Sequence, residues 1–141
     1  MSGKRFLDTN IFVCCFDSSD KGKQLRAQDV VARALQDRQS IVSWQVVQEF
    51  LNAATRKFER PMAASEARAY LETVLAPLCE VFPSIEIYQR ALELRERAQL
   101  SFYDALMVAA ALEANCTHFL SEDLQAGQRI DGLVVQNPFA S

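Results

Sequence analysis

Four acidic residues lie beside apolar segments in widely separated parts of the 141-residue chain. They are Asp8, Glu49, Asp104 and Asp123. A carboxylate next to a buried element is costly unless something compensates its charge. If the fold brings the four side chains together, a divalent cation is the best relief of their mutual repulsion. The residue types therefore predict a metal site suited to phosphodiester chemistry.

The expected ion is Mg²⁺ or Mn²⁺, because both prefer the oxygen ligands that carboxylates provide. Such an ion lowers the pKa of a bound water and stabilises charge on a leaving oxygen. The single histidine, His118, falls in a predicted strand, and the four cysteines include no C-x-x-C pair. The pattern thus favours hydrolysis by metal-activated water over a histidine base or a zinc site.

Each acid also has an ordinary structural explanation. Asp8 could cap a helix that begins at Thr9, and Asp104 could favour the dipole of its helix from the first turn. Glu49 could be a solvated residue at the flank of an apolar helix face, and Asp123 could be a loop residue. The four together are more specific than any one of them.

Composition limits the classes of protein to which the chain can belong. Half of the residues are hydrophobic, which excludes a disordered chain, and the net charge of −3 argues against nucleic-acid binding by bulk positive charge. The length favours one domain over residues 1–141. We find no membrane-span or signal-peptide pattern and expect a cytoplasmic protein with free core thiols.

Short apolar segments alternate with segments of helical spacing, which predicts an α/β fold with a mostly parallel sheet. Asp8 and Asp123 follow two of the predicted strands, and ligands of such sheets bind beyond the carboxyl ends of the strands. We also expect Ser65 and Ser101 to cap helices. The predicted strands are 4–7, 41–43, 80–82, 117–120 and 132–135, and the predicted helices are 9–16, 23–38, 44–58, 65–75, 83–99 and 104–114.

Five short motifs occur in an order that closely resembles the PIN-domain ribonucleases, and among these the VapC-type toxins of bacterial toxin–antitoxin pairs. The resemblance covers nearly the whole chain. It implies a single PIN-like domain, a three-layer sandwich whose short, mostly parallel central sheet is flanked by helices. The motifs are Leu7-Asp8-Thr9-Asn10-Ile11, the segment 43–50, the segment 100–106, Leu120-Ser121-Glu122-Asp123-Leu124 and Asn137-Pro138-Phe139.

The resemblance also implies an activity. In that family the acids matching Asp8, Glu49, Asp104 and Asp123 bind one or two Mg²⁺ or Mn²⁺ ions and drive hydrolysis of single-stranded RNA. The residues matching Thr9, Asn10 and Ser121 usually support the site. A protein antitoxin that covers the acidic cleft and a homodimer are the partners that the resemblance implies.

Two further groups of side chains are candidates for substrate contact. Basic residues near the end of the Glu49 helix could contact phosphates or an acidic antitoxin segment, although a solvated helix end is the simpler explanation. Aromatic residues could stack on exposed bases, although core packing is the simpler explanation for Phe58 and Phe102. The basic residues are Arg56, Lys57 and Arg60, and the aromatic residues are Phe58, Phe102 and Tyr103.

Two other functions remain open from the sequence. An aspartyl phosphatase would use Asp8 as nucleophile, but the position two residues later, where such sites usually carry a second acid, is Asn10. A catalytically silent RNA-binding module or a receiver-type switch is the non-enzymatic alternative. A silent binder would not need four acids, and a receiver would need paired acids at the first strand.

Overall fold

The computed structural model describes residues 3–140. The six strands found in this range are β1 (Lys4–Leu7), β2 (Ser40–Ser43), β3 (Cys79–Val81), β4 (Cys116–Leu120), β5 (Arg129–Ile130) and β6 (Leu133–Gln136). The helices are α1 (Thr9–Cys14), α2 (Lys21–Asp37), α3 (Trp44–Arg56), α4 (Ala64–Tyr70), α5 (Ala76–Leu78), α6 (Ile85–Arg97) and α7 (Phe102–Glu113), with a π-helical turn, Leu71–Leu75, between α4 and α5.

The strands form one sheet in the order β3-β2-β1-β4-β6-β5. Every neighbouring pair is parallel except β5 and β6, which are antiparallel. The predicted α/β fold, with a mostly parallel sheet flanked by helices, is therefore confirmed. The carboxyl ends of the parallel strands meet along one side of the sheet, which we call the carboxyl edge.

The direction of the crossovers places helices on both faces of the sheet. The chain passes from β1 to β2 and β3 in one direction and then returns across β1 to β4. Because such crossovers are almost always right-handed, reversing their direction moves the connecting helices to the opposite face. The reversal also creates a switch point between β1 and β4, where ligands of open parallel sheets bind.

Apolar packing stabilises the sheet near this switch point, through a pair of stacked rings and a buried helix. Phe6 of β1 pairs with Phe119 of β4 and stacks on its ring at a centroid distance of 5.2 Å. On α7, every residue from Ala105 to Leu112 is buried, so this helix has no solvated face along that stretch. A helix that is apolar all round must be covered on most sides, as the sequence predicts for this segment.

The structure corrects the prediction for Ser65. Helix α4 begins at Ala64, so Ser65 lies inside its first turn and is not the N-cap. Ala63 occupies the cap position, and its backbone N–H donates to Glu66 Oε1 at 2.9 Å. The Glu66 carboxylate thus satisfies the backbone donor of the cap residue, which is one half of a capping box, while alanine has no side-chain oxygen to supply the other half.

The short strand β5 is absent from the sequence prediction. It forms a hairpin with β6 through Asp131 and Gly132, which have φ values of 50° and 88°. Positive φ at both central residues is typical of the tight hairpin turn that Asp-Gly favours, and this dipeptide was the available signal. The strand has only two residues, so its apolar pattern is too short to recognise.

Two further findings concern the length of the helices and the state of the cysteines. Within residues 3–140, no helix is long and apolar enough to cross a membrane. All four cysteines are free, and three of them, Cys14, Cys15 and Cys116, are buried. Free core thiols are thus confirmed.

Candidate active site

Asp8 lies at the switch point between β1 and β4. Its backbone N–H donates to the carbonyl of Leu120 at 3.1 Å, so the two strands end level with each other. Asp8 also caps α1, because its Oδ1 accepts from the N–H of Thr9 at 2.7 Å. Its other oxygen, Oδ2, accepts from the hydroxyl of Ser121 at 2.7 Å. The capping role and the place at the carboxyl edge are therefore compatible.

Thr9 links Asp8 to Glu49. The Thr9 hydroxyl donates to Glu49 Oε1 at 2.6 Å, while its backbone N–H donates to Asp8. Gln45, one turn earlier on α3, donates from Nε2 to Glu49 Oε2 at 3.0 Å. Both oxygens of Glu49 thus accept hydrogen bonds from residues of other turns or elements, and the carboxylate is fixed beside Asp8.

Ser121 and Asn10 link Asp8 to Asp123. The N–H of Asp123 donates to Ser121 Oγ at 3.0 Å, and the same hydroxyl donates to Asp8. From α1, Asn10 Nδ2 donates to Asp123 Oδ2 at 2.8 Å. The loop after β4 is therefore tied to the start of α1, and three predicted supporting residues each contact one or two of the acids.

Asp104 lies in the first turn of α7, where Ser101 caps the helix. The Ser101 hydroxyl accepts from the N–H of Asp104 at 3.2 Å, which confirms the predicted cap. Its side chain is exposed at the carboxyl edge and close enough to Asp123 for the charge of Asp104 to raise the pKa of Asp123. The fold therefore brings all four predicted acids to one region.

Burial dominates the electrostatics of this region. It raises the pKa of Asp8 from 3.8 to about 6, and the nearby carboxylates of Asp123 and Glu49 add to the rise. The Ser121 and Thr9 hydrogen bonds oppose it because they stabilise the ionised form. The pKa of Asp123 is also raised, first by burial and then by the charges of Glu122 and Asp104.

The donor set fits a hard divalent cation, because it consists of carboxylate oxygens with hydroxyl and amide groups nearby. The side chains do not converge tightly, however. Among residues 3–140, no three His, Cys, Asp or Glu side chains are grouped closely enough to hold one ion between them. Mg²⁺ usually keeps several waters and needs only one or two carboxylates, so this spacing suits a partly hydrated ion.

Gln45 supports the site but was not singled out from the sequence. Besides Glu49, its Nε2 contacts the carbonyl of Tyr103 at 3.1 Å, so it connects α3 to the start of α7. Its Oε1 and the hydroxyl of Ser43 are buried without a partner among the described residues, which makes them natural ligands for ordered water. The only signal was a polar residue four positions before Glu49.

Lys23 is a second residue that the sequence did not reveal. Its ammonium lies 2.7 Å from Glu122 Oε1 and 5.1 Å from the centre of the Phe139 ring. Phe139 is held in turn by its N–H, which donates to Asn137 Oδ1 at 2.9 Å. The first turn of α2 thereby fixes the residue beside Asp123. Nothing in the sequence placed Lys23 near Glu122.

Arg56, the first of the predicted basic residues, lies about two helical turns beyond Glu49 on α3. Arg56, Lys57 and Arg60 are exposed at and beyond the end of α3. Glu49 is seven residues before Arg56, which corresponds to about 10 Å along a helix. Phe58 packs against Phe16 and Phe50 with ring centroids 5.5 and 5.9 Å away, so core packing is the explanation for this aromatic residue.

Comparison with known proteins identifies the family. Residues 5–131 match the PIN domain family. Because this match covers most of the chain, the protein belongs to the PIN domain family. Among curated proteins, none matches the sequence significantly.

Several solved structures share the fold. A toxin–antitoxin complex from Klebsiella pneumoniae has a TM-score of 0.70 at 19% identity, covering 96% of this chain and 98% of the other. VapBC2 from Rickettsia felis, bound to a promoter DNA fragment, has a TM-score of 0.66 at 16% identity and covers 94% and 97%. Mycobacterium tuberculosis VapC20, described as a sarcin–ricin loop cleaving toxin, has a TM-score of 0.59 at 18% identity and covers 82% and 87%.

The raised pKa of Asp8 predicts that stability falls as pH rises. The folded protein binds the Asp8 proton more tightly than the unfolded chain, so ionising Asp8 favours unfolding. Between about pH 4.5 and pH 7.5 this group should lower the free energy of unfolding by about 2 kcal/mol in EDTA. Urea unfolding across this range measures the change.

Two variants test whether Asp8 causes this pH dependence of stability. Asp8→Asn removes one titrating group and should reduce the slope, leaving the contribution of Asp123, whose pKa is also raised. Asp29→Asn removes an acid of α2 that pairs with Arg33, and it should leave the slope as in the wild type. A wild-type slope in Asp8→Asn would show that Asp8 does not titrate as the structure indicates.

Proposed function

We propose that this protein is a metal-dependent endoribonuclease that hydrolyses single-stranded RNA. The observation that carries the proposal is the hydrogen-bonded link between acids from separate segments at the switch point of the sheet. Thr9 joins Asp8 to Glu49, and Ser121 joins Asp8 to Asp123. Membership of the PIN domain family supports nuclease chemistry for this arrangement.

Asp8, Glu49, Asp104 and Asp123 are the proposed metal ligands and catalytic acids. When bound, Mg²⁺ or Mn²⁺ supplies charge stabilisation at a phosphate and a water of lowered pKa. The role of the chain is to keep carboxylates ionised and correctly placed in spite of burial and repulsion. Asp8 is the most constrained of them, because its pKa is raised to about 6 while both its oxygens accept hydrogen bonds.

Thr9, Asn10 and Ser121 are positioning residues in this proposal. Their hydrogen bonds leave lone pairs on the carboxylate oxygens, since each carboxylate can accept about four. The same oxygens can therefore bind a cation while they accept from these side chains. Asn10 donates to Asp123, which does not suit the acid–base role that an aspartyl phosphatase would require at that position.

RNA cleavage is the direct test. Purified protein with Mg²⁺ or Mn²⁺ should cut labelled single-stranded RNA, and EDTA should abolish the activity. Asp104→Asn should lower the rate by at least about a hundredfold, because removing a ligand or an electrostatic stabiliser typically costs that much. Gel analysis of the products against time measures the rate.

Two controls define the outcome. Glu113→Gln, at the far end of the same helix, removes an exposed acid and should cut as fast as the wild type. Equal cutting by Asp104→Asn would point to a contaminating ribonuclease and contradict the role of this residue. Metal-independent RNA binding without any cutting would favour the silent binding module.

Metal binding should also be visible without RNA. Because an ion would bind the folded acids and relieve their repulsion, millimolar Mg²⁺ or Mn²⁺ should raise the melting temperature by a few degrees. Differential scanning fluorimetry of the wild type and Asp8→Asn measures the difference. An equal shift in both would mean that the ion binds elsewhere.

We further propose that the protein is the toxin of a toxin–antitoxin pair and forms a homodimer. The similarity of its fold to structures described as toxin–antitoxin complexes and to VapBC2 supports this role. Its partner would be a protein antitoxin that covers the acids.

Expression in a bacterial host tests the toxin role. Induction of the wild type should arrest growth, because cleavage of RNA would stop protein synthesis. Induction of Asp104→Asn at the same level should not, and co-expression of a small gene directly upstream should restore growth. Arrest by both forms would mean that toxicity does not come from the proposed site.

A further inference from the structure

The carboxyl edge is divided into an acidic part and an aromatic part. Acids and their hydroxyl partners lie where β1 and β4 end, as described above. Aromatic residues lie where the other strands end: Trp44 follows β2, and Phe82 follows β3. Tyr103, in the first turn of α7, lies between the two parts, because it precedes Asp104 and its carbonyl contacts Gln45 near the end of β2.

Phe82 and Tyr103 of the aromatic part are exposed, whereas Trp44 is half-buried and packs against Tyr88. Tyr103, Phe82 and Ile85 have relative exposures of 66%, 65% and 66%, the highest among the large apolar side chains in residues 3–140. Scattered exposed apolar residues are ordinary, so exposure alone does not indicate a binding surface. Tyr103 differs from the other two because it directly precedes Asp104, whose charge acts on Asp123, so its side chain begins beside the proposed ligand site.

The backbone of Tyr103 is fixed although its ring is exposed. The carbonyl accepts from Gln45 Nε2 at 3.1 Å, and Gln45 is itself 4% exposed and bonded to Glu49. The Phe102 ring meets the Tyr103 ring nearly at right angles, with centroids 5.4 Å apart. A ring held on a rigid backbone loses little conformational freedom when a flat ligand stacks on it.

We propose that Tyr103 is a substrate-binding residue that stacks on a base flanking the scissile phosphate of single-stranded RNA. The inference rests on the proposed function and adds to it the residue that holds the nucleobase. Aromatic side chains bind unpaired bases by stacking, which every base permits. The acids would bind the ion that contacts the phosphate. The adjacent ring would then supply binding affinity that a chain of net charge −3 cannot obtain from bulk electrostatics.

RNA suits this surface better than a second copy of the chain. A two-fold interface places the same patch of both copies face to face. Centred on Tyr103, it would bring Asp104 and Asp123 of one copy close to those of the other, and like charges across an interface are unfavourable. An RNA strand would instead carry phosphates to the ion held by the acids and bases to the ring.

Steady-state cleavage separates binding from chemistry. The probe is a short, fluorescein-labelled single-stranded RNA of mixed sequence with Mn²⁺, and initial rates give kcat and the apparent KM. Tyr103→Ala should raise the apparent KM on the order of tenfold and change kcat by less than about twofold, because stacking is a binding interaction. Tyr103→Phe keeps the ring and should match the wild type within about twofold.

Leu92→Ala is the matched control, because Leu92 is an exposed apolar residue of α6, with a relative exposure of 56%, outside the carboxyl edge. It should leave both constants unchanged. An unchanged KM in Tyr103→Ala, or an equal rise in Leu92→Ala, would overturn the role of Tyr103 while leaving the nuclease proposal intact. A wild type that neither binds nor cuts the probe would overturn both.

Light scattering of the same variants tests whether a second copy of the chain, rather than RNA, binds at this surface. The mass of Tyr103→Ala in solution should equal that of the wild type. A lower mass together with a raised KM would mean that the ring stabilises an assembly of copies, and it would overturn the assignment to RNA.

Discussion

The burial of Asp8 between β1 and β4 is the constraint on which the site depends. The register of these strands brings Asp8 level with Ser121, and the start of α1 leaves the carboxylate only partly accessible to water. A charge in this position needs compensation, because burial favours the protonated form. The surrounding hydrogen bonds supply part of it, and the proposed cation supplies the rest. Thr9 and Ser121 bind this carboxylate directly and link it to Glu49 and Asp123.

The sequence could predict those parts of the site that follow from the ends of strands and from the order of the motifs. Asp8 and Asp123 follow from strand ends, since the carboxyl ends of parallel strands meet at one edge. Glu49 and Asp104 lie inside helical segments, so their approach to the other acids was implied only by the resemblance to PIN-domain ribonucleases. Hydrogen bonds such as Gln45 to Glu49 and ion pairs such as Lys23 to Glu122 depend on side-chain directions that no local pattern encodes.

The errors at the level of the fold have a similar origin. Ser65 has the chemistry of an N-cap, but the reach of Glu66 to the backbone of Ala63 starts the helix earlier. The hairpin partner β5 has two residues and is defined by its pairing with β6, which is a tertiary feature. Long apolar segments such as α7 were predicted well, because a helix without a solvated face along most of its length must lie inside the fold.

Gln45 links the acidic part of the carboxyl edge to the aromatic part. One amide nitrogen contacts Glu49 on the acidic side and the carbonyl of Tyr103 on the aromatic side. The backbone of Tyr103, which carries the proposed base-stacking ring, is therefore linked through Gln45 to an acid of the site. This coupling gives a physical reason for a substrate whose phosphate and base are recognised together, as an unpaired nucleotide would be.

The central claim is that acids at this edge bind a divalent cation. Titration of isotope-labelled protein with Mn²⁺, followed by NMR, tests it most directly, because the paramagnetic ion broadens only nearby amide signals. We predict that amide signals near the ion disappear early, and that the amide signals at the far end of α3 are retained. The signals expected to disappear are those of Asp8, Thr9, Asp104, Ser121 and Asp123. Uniform broadening, or selective loss at any other surface, would contradict it.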